Sequence, residues 1–403
     1  MTRARTILAL NAGSSSLKFL LADCAAEPRE ILRGAVSGIG ANARLAIRGM
    51  PGLASPQPVA ARDHGEALGA ILDALDGVDA PSLRAVEAIG HRIVHGGPDF
   101  TAPARLDRAT LARLHGIVRL APLHLPPALQ VIEGCAARLP GVPSIGIFDT
   151  AFFQPLPAVA RRYALPAQWS EDLGLIRHGF HGIAHRDMYE YAVRALGAAR
   201  ARRVISFQLG HGCSTTAVLD GEPRDTSMGY TPLEGLVMGT RSGDLDPGIL
   251  LDLLERGWTR EALHEALHRR AGLLGVSGLS ADMAQLLDAE RNGHAGAHAA
   301  IEMFVHRARK YLGAYLAVLG GADAIVFGGG IGEHAADVRR RICAGLDWAG
   351  LRLDAAANAA CVGGDALISP TSAPIAVLVR AVDEERQIAQ AVHSLLASGA
   401  PGS

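Results

Sequence analysis

The sequence predicts an α/β fold built from two related domains. Short apolar runs, most of them followed by glycine, alternate with segments of helical periodicity along the 403 residues. A strand–turn–strand pattern that begins at Ile7 recurs from Val204, about half a chain later. At about 150 residues per domain, this length also predicts two or three domains. We therefore expect a duplicated α/β domain rather than a short-period repeat protein.

The apolar runs are predicted as strands because each is short and bounded by glycine or polar turn residues. They are residues 6–10, 17–22, 88–93, 144–148, 204–209, 216–219 and 324–327.

Helices are predicted where apolar residues recur at helical spacing. Leu106, Leu111, Leu114 and Val118 share one face of a helix over 106–119, and 307–319 and 384–396 show similar periodicity. The segment "IVFGGGIGEH" predicts a strand, a glycine loop over 330–334, and a helix that starts near Ala335.

The recurring hairpin aligns Gly13 with Gly212 and Ser15 with Ser214. Chance similarity between two glycine-rich hairpins is the alternative. If the two hairpins face one another, they predict an interdomain cleft, where small ligands commonly bind.

Composition excludes several classes of function. The formal net charge is −1, so no basic field predicts a nucleic-acid or anionic-membrane partner. No uninterrupted apolar run approaches the ~18 residues of a membrane span. The five cysteines form no CxxC motif, so we expect neither disulfides nor zinc, and a reducing cytoplasm.

The stretch "NAGSSSLK", residues 11–18, is a candidate phosphate loop. It is not a P-loop, because no glycine precedes Lys18. Backbone N–H groups around Gly13 and the serine hydroxyls can nevertheless surround phosphate oxygens. A plain hairpin turn is the alternative.

Three further motifs carry charged or histidine side chains. Arg92, in "GHRIVHGG", has the planar fork that suits carboxylate and phosphate oxygens, unless it is a surface arginine beside a turn. Asp149 ends a predicted strand, where it could cap a helix, orient an arginine or bind a metal. His178, His181 and His185 cluster without the HExxH pattern of a zinc site.

Two longer segments predict functional loops. Residues 225–247 lack clear periodicity and pack turn formers around Arg241, and such long irregular stretches are usually functional. The strand, glycine loop and helix over 325–334 would point backbone N–H groups at an anion.

Taken together and in this order, these motifs resemble the acetokinase family over nearly the whole chain. The matching segments are "LNAGSSSLKF", "GHRIVHGG", "FDTAFF", "GFHG", "TSMGYTPLEGLVMGTRSG", "GGIGE" and "DEE". The resemblance implies a duplicated actin/hexokinase/Hsp70-like (ribonuclease H-like) fold with an interdomain active-site cleft. It implies an N-terminal domain of residues 1–150 plus 385–403 and a C-terminal, nucleotide-binding domain of 151–384.

The resemblance also implies chemistry. It implies a cytoplasmic homodimer that transfers phosphate from ATP to acetate, giving acetyl phosphate and ADP, with Mg²⁺ or alternatively Mn²⁺. Asp149, Arg92, Arg241 and His181 would be catalytic, and Asn11 and Glu384 would lie near the metal. The methyl pocket would comprise Val94, Leu123, Phe180 and Pro232. The nucleotide site would comprise Lys18, Gln208, Leu209, Gly210, His211, Gly212, Asp282, Met283, Ala284, Gly330, Ile331, Gly332, Glu333 and His334.

Departures from the family pattern concentrate in the nucleotide half. His211 and His334 stand where the family usually has asparagine, Gln208 replaces a histidine, and Ala284 replaces an arginine. The alternatives are therefore a propionate kinase, an enzyme with a changed phosphoryl donor, or a non-catalytic nucleotide-binding protein.

Overall fold

The computed structural model describes residues 3–25, 27–50, 52–77 and 83–398. The chain divides into two compact units. The N-terminal unit comprises 1–151 with 383–403, and the C-terminal unit comprises 152–382. Residues 399–403 of the predicted N-terminal domain lie outside the described residues.

The strands of the N-terminal unit are β1 (Arg5–Ala12), β2 (Ser16–Cys24), β3 (Pro28–Ser37), β4 (Arg44–Arg48), β5 (Gln57–Pro58), β6 (Ala88–Ile93), β7 (Ala104–Arg105) and β8 (Ser144–Phe148). Those of the C-terminal unit are β9 (Arg203–Leu209), β10 (Cys213–Leu219), β11 (Glu222–Thr226), β12 (Ala324–Gly328), β13 (Ala366–Leu367) and β14 (Ala376–Val379). Every predicted strand is confirmed, two of them with the predicted bounds.

The α-helices are α1 (His64–Asp76), α2 (Arg108–Gly116), α3 (Leu125–Arg138), α4 (Ala158–Arg161), α5 (Ala167–Leu173), α6 (Gly182–Leu196), α7 (Pro247–Glu255), α8 (Arg260–Glu265), α9 (Gly272–Ser277), α10 (Met283–Arg291), α11 (Ala295–Leu319), α12 (Gly329–His334), α13 (Ala336–Cys343), α14 (Ala355–Ala360) and α15 (Glu384–Ala397). Short 3₁₀ helices span Leu83–Ala85, Val118–Leu120, Asp149–Phe153, Ala198–Arg200 and Asp347–Ala349, and a π-helix spans Ala266–Arg270. No helix in the described ranges combines the length and apolarity of a membrane span.

Each unit contains one mixed sheet, and the two sheets repeat one topology. In the described residues, the N-terminal sheet has the order β5-β4-β3-β2-β1-β6-β8-β7 and the C-terminal sheet has β11-β10-β9-β12-β14-β13. β1 pairs antiparallel with β2 and parallel with β6, as β9 does with β10 and β12. The fold is therefore the duplicated α/β architecture that the recurring hairpin predicts.

Helices cover the sheet faces in each unit. In the N-terminal unit, apolar residues of β1 and β2 pack against α1 and α3 in one core cluster. α15 packs on β6 so closely that a Cβ added at Gly90 would lie 2.5 Å from Ile388. In the C-terminal unit, α6 and α11 pack against β9, with α11 also contacting β10 and β11. Glycine at position 90 therefore lets α15 bring residues near 384 to the end of β1.

Three local predictions need correction. The helix predicted over 106–119 spans only Arg108–Gly116, because Asp107 caps it and a separate 3₁₀ turn follows. The predicted glycine loop over 330–334 is helical, since α12 begins at Gly329 directly after β12. The third correction concerns the hairpin alignment.

Gly13 corresponds in structure to Gly210 rather than Gly212. Both glycines directly follow the first strand of their hairpin, and their N–H groups donate across the turn to Ser16 and Gly212 carbonyls. Ser15 lies in an exposed turn, whereas Ser214 is a buried strand residue. Each turn has three residues between its strands, so the alignment of Gly13 with Gly212 is two residues out of register.

Candidate active site

The N-terminal unit holds a polar cluster around Asn11, a buried residue near the end of β1. Its Nδ2 donates to Glu384 Oε2 at 2.7 Å and to Glu385 Oε1 at 2.8 Å. Its Oδ1 accepts from Arg92 Nη1 at 3.1 Å. One amide thus ties the first strand to the start of α15, which lies more than 370 residues later in the chain.

Arg92 is held by two carboxylates in this cluster. Its Nε and Nη2 donate to Asp149 Oδ2 at 3.1 and 2.8 Å, and its Nη1 lies 3.2 Å from Glu384 Oε2. Burial works against the charged form of Arg92, but Asp149 and Glu384 outweigh it, so the pKa is raised. Asp149 is fully buried and accepts both bonds on one oxygen, which fixes the plane of the guanidinium.

Sequence reasoning missed Arg33 and gave Glu385 no role. Arg33 donates to Asp383 Oδ2 at 2.6 Å and to Glu385 Oε2 at 3.1 Å. Burial raises the pKa of Glu385, opposed mainly by the charge of Lys18. The consecutive acids of "DEE" were a visible signal, but nothing in the sequence connects them to Arg33.

The C-terminal unit brings both His181 and Arg241 close to Gly212. A Cβ added at Gly212 would lie 3.6 Å from both His181 Nε2 and Arg241 Nη1. Glycine therefore leaves a small space between two N–H-bearing side chains. Such a space, lined by a guanidinium and an imidazole, suits an anionic oxygen.

Arg241 has no carboxylate partner among the hydrogen bonds and salt bridges of the described residues. Its Nη1 makes only a long contact of 3.4 Å to the Pro232 carbonyl and one of 4.0 Å to Met238 Sδ. Burial lowers the pKa of Arg241, with Cys213 opposing. In contrast with Arg92, this guanidinium is not paired with a carboxylate within the described ranges.

The loop that carries Arg241 is held through its backbone by the segment around α9. Met238 accepts from Leu273 N–H at 2.9 Å, and Thr240 accepts from Ala271 N–H at 3.1 Å. Gly272, at φ +61°, lies so close that an added Cβ would be 2.2 Å from the Met238 carbonyl oxygen. The irregular stretch expected over 225–247 is confirmed from residue 227 to 246, between β11 and α7.

A pocket of about 560 Å³ in the C-terminal unit gathers much of the predicted nucleotide set. Its lining comprises Gly210, His211, Ser280, Ala281, Asp282, Met283, Ala284, Leu287, Gly330, Ile331, His334 and Ala335. No lysine or arginine belongs to this lining. The pocket is therefore suited to an uncharged nucleoside rather than to phosphates.

The remaining nucleotide candidates lie elsewhere. Lys18 is an exposed residue of β2 in the N-terminal unit, paired in register with Asn11. Gln208 and Leu209 belong to β9, and Gly332 is buried within α12. The Glu333 carboxylate accepts from Gly329 N–H at 3.0 Å and closes the turn at the start of α12.

The four residues of the expected methyl pocket divide between the units. Val94 directly follows β6 and is largely buried, and Leu123 is half-buried in the turn before α3. Phe180 is fully buried beside His181, and Pro232 contacts Arg241 through its carbonyl.

One cluster outside the predicted site has the residue types of a metal site. Ligand atoms of Glu290, His298 and Glu302 lie within 4.8 Å of one another. Arg341 pairs with Glu290 at 2.7 Å and with Glu302 at 3.0 Å, so both carboxylates already have a cationic partner.

Comparison with known proteins finds similar sequences and structures over nearly the whole chain. The profile of the Acetokinase family matches residues 6–390. The acetate kinase of Ectopseudomonas mendocina is 43% identical over 396 residues, which cover 98% of this chain and 99% of that protein. The crystal structure of Porphyromonas gingivalis acetate kinase matches with a TM-score of 0.88 at 36% identity, over 97% of this chain and 100% of the other. A propionate kinase from Francisella tularensis matches with a TM-score of 0.88 at 34% identity, over 96% and 98% of the two chains. The chain therefore belongs to the acetokinase family.

Proposed function

We propose that this chain transfers the γ-phosphoryl group of ATP reversibly to the carboxylate of acetate. The observation that carries the proposal is the space at Gly212, bounded by His181 Nε2 and by the Arg241 guanidinium, which has no carboxylate partner. Both side chains can donate to an anionic group there. Membership of the acetokinase family supports a carboxylate as the acceptor and ATP as the donor.

The reaction needs positioning and charge stabilisation more than a base. A carboxylic acid with a pKa of about 4–5 is already ionised at pH 7. An acetate oxygen attacks the γ-phosphorus, the bond to the bridging oxygen of ADP breaks, and acetyl phosphate forms. Asp149 orients Arg92 rather than removing a proton, since it accepts hydrogen bonds from both Nε and Nη2 of that guanidinium. Arg241 and His181 donate to the transferring group.

The polar cluster of the N-terminal unit fits a divalent metal ion. Glu384 and Asn11 offer the hard oxygen atoms that Mg²⁺ prefers, and Mg²⁺ typically uses only one or two protein ligands beside phosphates. When bound, Mg²⁺ or Mn²⁺ neutralises negative charge on the triphosphate. The protein's part is to hold these oxygens in place, through the bonds of Asn11 to Glu384, Glu385 and Arg92.

A hydroxamate assay for acetyl phosphate tests the proposal. Arg241→Ala should lower kcat by about 10²–10³, the loss typical of one donor to developing charge. Arg241→Lys should not restore activity, because lysine lacks the planar fork. Arg256→Ala, which removes an exposed arginine that pairs with Asp252, is the matched control and should leave kcat unchanged. Normal turnover by Arg241→Ala would remove that residue from the site.

Propionate is the second candidate acceptor, because a propionate kinase matches this chain as well in structure as an acetate kinase does. One additional methylene in an apolar pocket changes discrimination by only about 1–3 kcal/mol. We therefore expect measurable turnover of both acids.

The nucleotide pocket offers few side chains that would select one phosphoryl donor over another. Ala284 is exposed at the pocket and carries no charge, and His211 packs on Gly239. Desolvation and the charge of Arg241 lower the pKa of His211, so this residue is neutral at pH 7. We expect weak ATP binding and loose choice among ATP, GTP, CTP and pyrophosphate. Ala284→Arg should tighten ATP binding with little change in the acetate KM, and a tight, ATP-selective wild type would contradict this.

We further propose that the chain forms a cytoplasmic homodimer. α7 is rich in leucine, yet none of its residues is buried in the single chain, and Ile249, Leu251 and Leu254 are exposed. Such an apolar surface is typical of an interface. All five cysteines are free thiols, as expected in a reducing compartment. Sedimentation of the wild type and of Leu251→Glu tests the dimer, and a monomeric wild type would contradict it.

A further inference from the structure

A chain of four buried or half-buried side chains leads away from His181. His181 Nδ1 lies 2.8 Å from Ser214 Oγ, and the same oxygen lies 2.8 Å from His185 Nε2. His185 Nδ1 in turn lies 2.7 Å from Ser206 Oγ. Ser206, His185 and Ser214 are fully buried, on β9, α6 and β10. We call these four residues the Ser206–His181 relay.

The hydrogen-bonding capacity of the relay allows three arrangements of its protons. Ser214 has a single O–H and two lone pairs, so it donates to one imidazole and accepts from the other, or it accepts from both. A neutral His185 has a single N–H, so it donates at one nitrogen and accepts at the other. His181 accepts at Nδ1 only in the arrangement in which every relay proton points toward it.

Burial keeps His185 in its neutral form. Desolvation, followed by the proximity of His181, lowers the pKa of His185 well below its ordinary value. His185 therefore does not add a charge that would reorganise the relay. The residue acts only as a fixed donor on one side and a fixed acceptor on the other.

The backbone also holds the His181 ring in place. His181 precedes α6 in the left-handed region, at φ 59° and ψ 29°, which few residues other than glycine adopt. Such a conformation persists where surrounding structure determines it. Nδ1 bonds to Ser214, and a Cβ added at Gly212 would lie 3.6 Å from both Cε1 and Nε2, so a ring held at Nδ1 keeps its Cε1–Nε2 edge beside that space.

We infer that Ser214 and His185 are positioning residues that place the proton of His181 on Nε2, so that this histidine donates to the anion bound beside Gly212. An anion there favours the arrangement in which every relay proton points toward His181. The inference rests on the proposed role of His181 in phosphoryl transfer.

Nitrogen NMR of the wild-type protein tests the relay without any activity. Protein labelled with ¹⁵N-histidine is examined at pH 7.5 with inorganic phosphate, and His181 is assigned by the loss of its signals in His181→Asn. We expect a protonated Nε2 and an unprotonated Nδ1 that accepts a hydrogen bond. A proton on Nδ1 of a neutral His181 would overturn the inference.

Kinetics of relay variants give the second test. Ser214→Ala should lower kcat by roughly 10- to 100-fold. Removing one hydrogen-bond donor to developing charge typically lowers kcat by about 10²–10³, and a proton on the wrong nitrogen of His181 removes most of that contribution. The KM values for acetate and ATP should stay within about twofold. Ser214→Thr, which retains the hydroxyl, should restore most of kcat, and Ser206→Ala at the far end should cause a smaller loss.

The matched control lies on the same strand. Thr216 is fully buried on β10, and its hydroxyl bonds to Thr226 outside the relay. Thr216→Val should lose stability but keep kcat. Equal losses of kcat in Ser214→Ala and Thr216→Val would show a merely structural effect and overturn the inference. A wild type that lacks kinase activity but shows the expected protonation would instead refute the proposed function and leave the relay standing.

Discussion

Gly272 offers the sharpest test of how Arg241 is positioned, because a second glycine at the other end of the same helix serves as its control. Gly272 begins α9 at φ +61°, and Gly278 directly follows the helix at φ +62°. A Cβ at Gly272 would lie 2.2 Å from the Met238 oxygen and 2.8 Å from Arg241 N. A Cβ at Gly278 would meet nothing within 4 Å. Alanine therefore causes the same backbone strain at both sites but a collision at only one.

The magnitudes follow from these distances. The left-handed conformation costs an alanine about 1–2 kcal/mol at either position. At Gly272 the Met238 oxygen must also retreat by about 1.2 Å to reach the 3.4 Å at which ordinary contacts begin. Overpacking of this kind adds about 1–3 kcal/mol. Displacing a catalytic group by about 1 Å can cost 10²-fold in rate, so kcat of Gly272→Ala should fall by about that factor.

Urea unfolding and the hydroxamate assay measure both effects. Gly278→Ala should lose about 1–2 kcal/mol of unfolding free energy and keep its kcat. Gly272→Ala should be less stable than Gly278→Ala and about 100-fold slower. Equal stability of the two variants, with normal kcat in both, would refute the view that close packing on Gly272 holds the Arg241 loop.

Three other predictions concern charge, pocket size and pH. Asp149→Asn should lower kcat by about 10²–10³ by removing the charge that orients Arg92, with no recovery between pH 6 and 9; activity that returns as pH rises would instead make Asp149 a base. Val94→Ala should raise the propionate-to-acetate ratio of kcat/KM by up to about tenfold, and an unchanged ratio would place the acyl group elsewhere. Burial lowers the pKa of His91 to about 3, so below pH 6.5 the unfolded chain binds a proton that the folded chain does not. The free energy of unfolding should therefore decrease as the pH is lowered, by up to about 1.4 kcal/mol per pH unit. Urea unfolding at pH 7 and pH 5 should show a smaller decrease for His91→Gln than for the wild type. Equal decreases in the two proteins would contradict this.

Local patterns in the sequence predicted seven of the fourteen strands in the described residues, among them the strands at the centre of both sheets. Strands such as β6 and β8 are short apolar runs whose burial is dictated by their own residues, so their bounds could be read directly. α12 could not be predicted, because three consecutive glycines disfavour a helix. The contacts that stabilise α12 come from side chains outside the three glycines. The Glu333 carboxylate accepts from Gly329 N–H, and the buried Arg339 donates to the Gly332 and Glu333 carbonyls.

The amino-acid sequence by itself determined the α/β class, the duplication and the family, and it proposed the residues of the candidate site. Only the tertiary structure decided which of those residues meet. Asn11 reaches Glu384 and Glu385 because α15 packs onto β6 at Gly90, and His181 reaches Ser214 because α6 packs on β9, the neighbour of β10 in the sheet. The physical reason is that periodicity along the sequence indicates which face of its own helix or strand a residue lies on. Hydrogen bonds between elements depend on sheet register and helix docking, which many distant side chains set together.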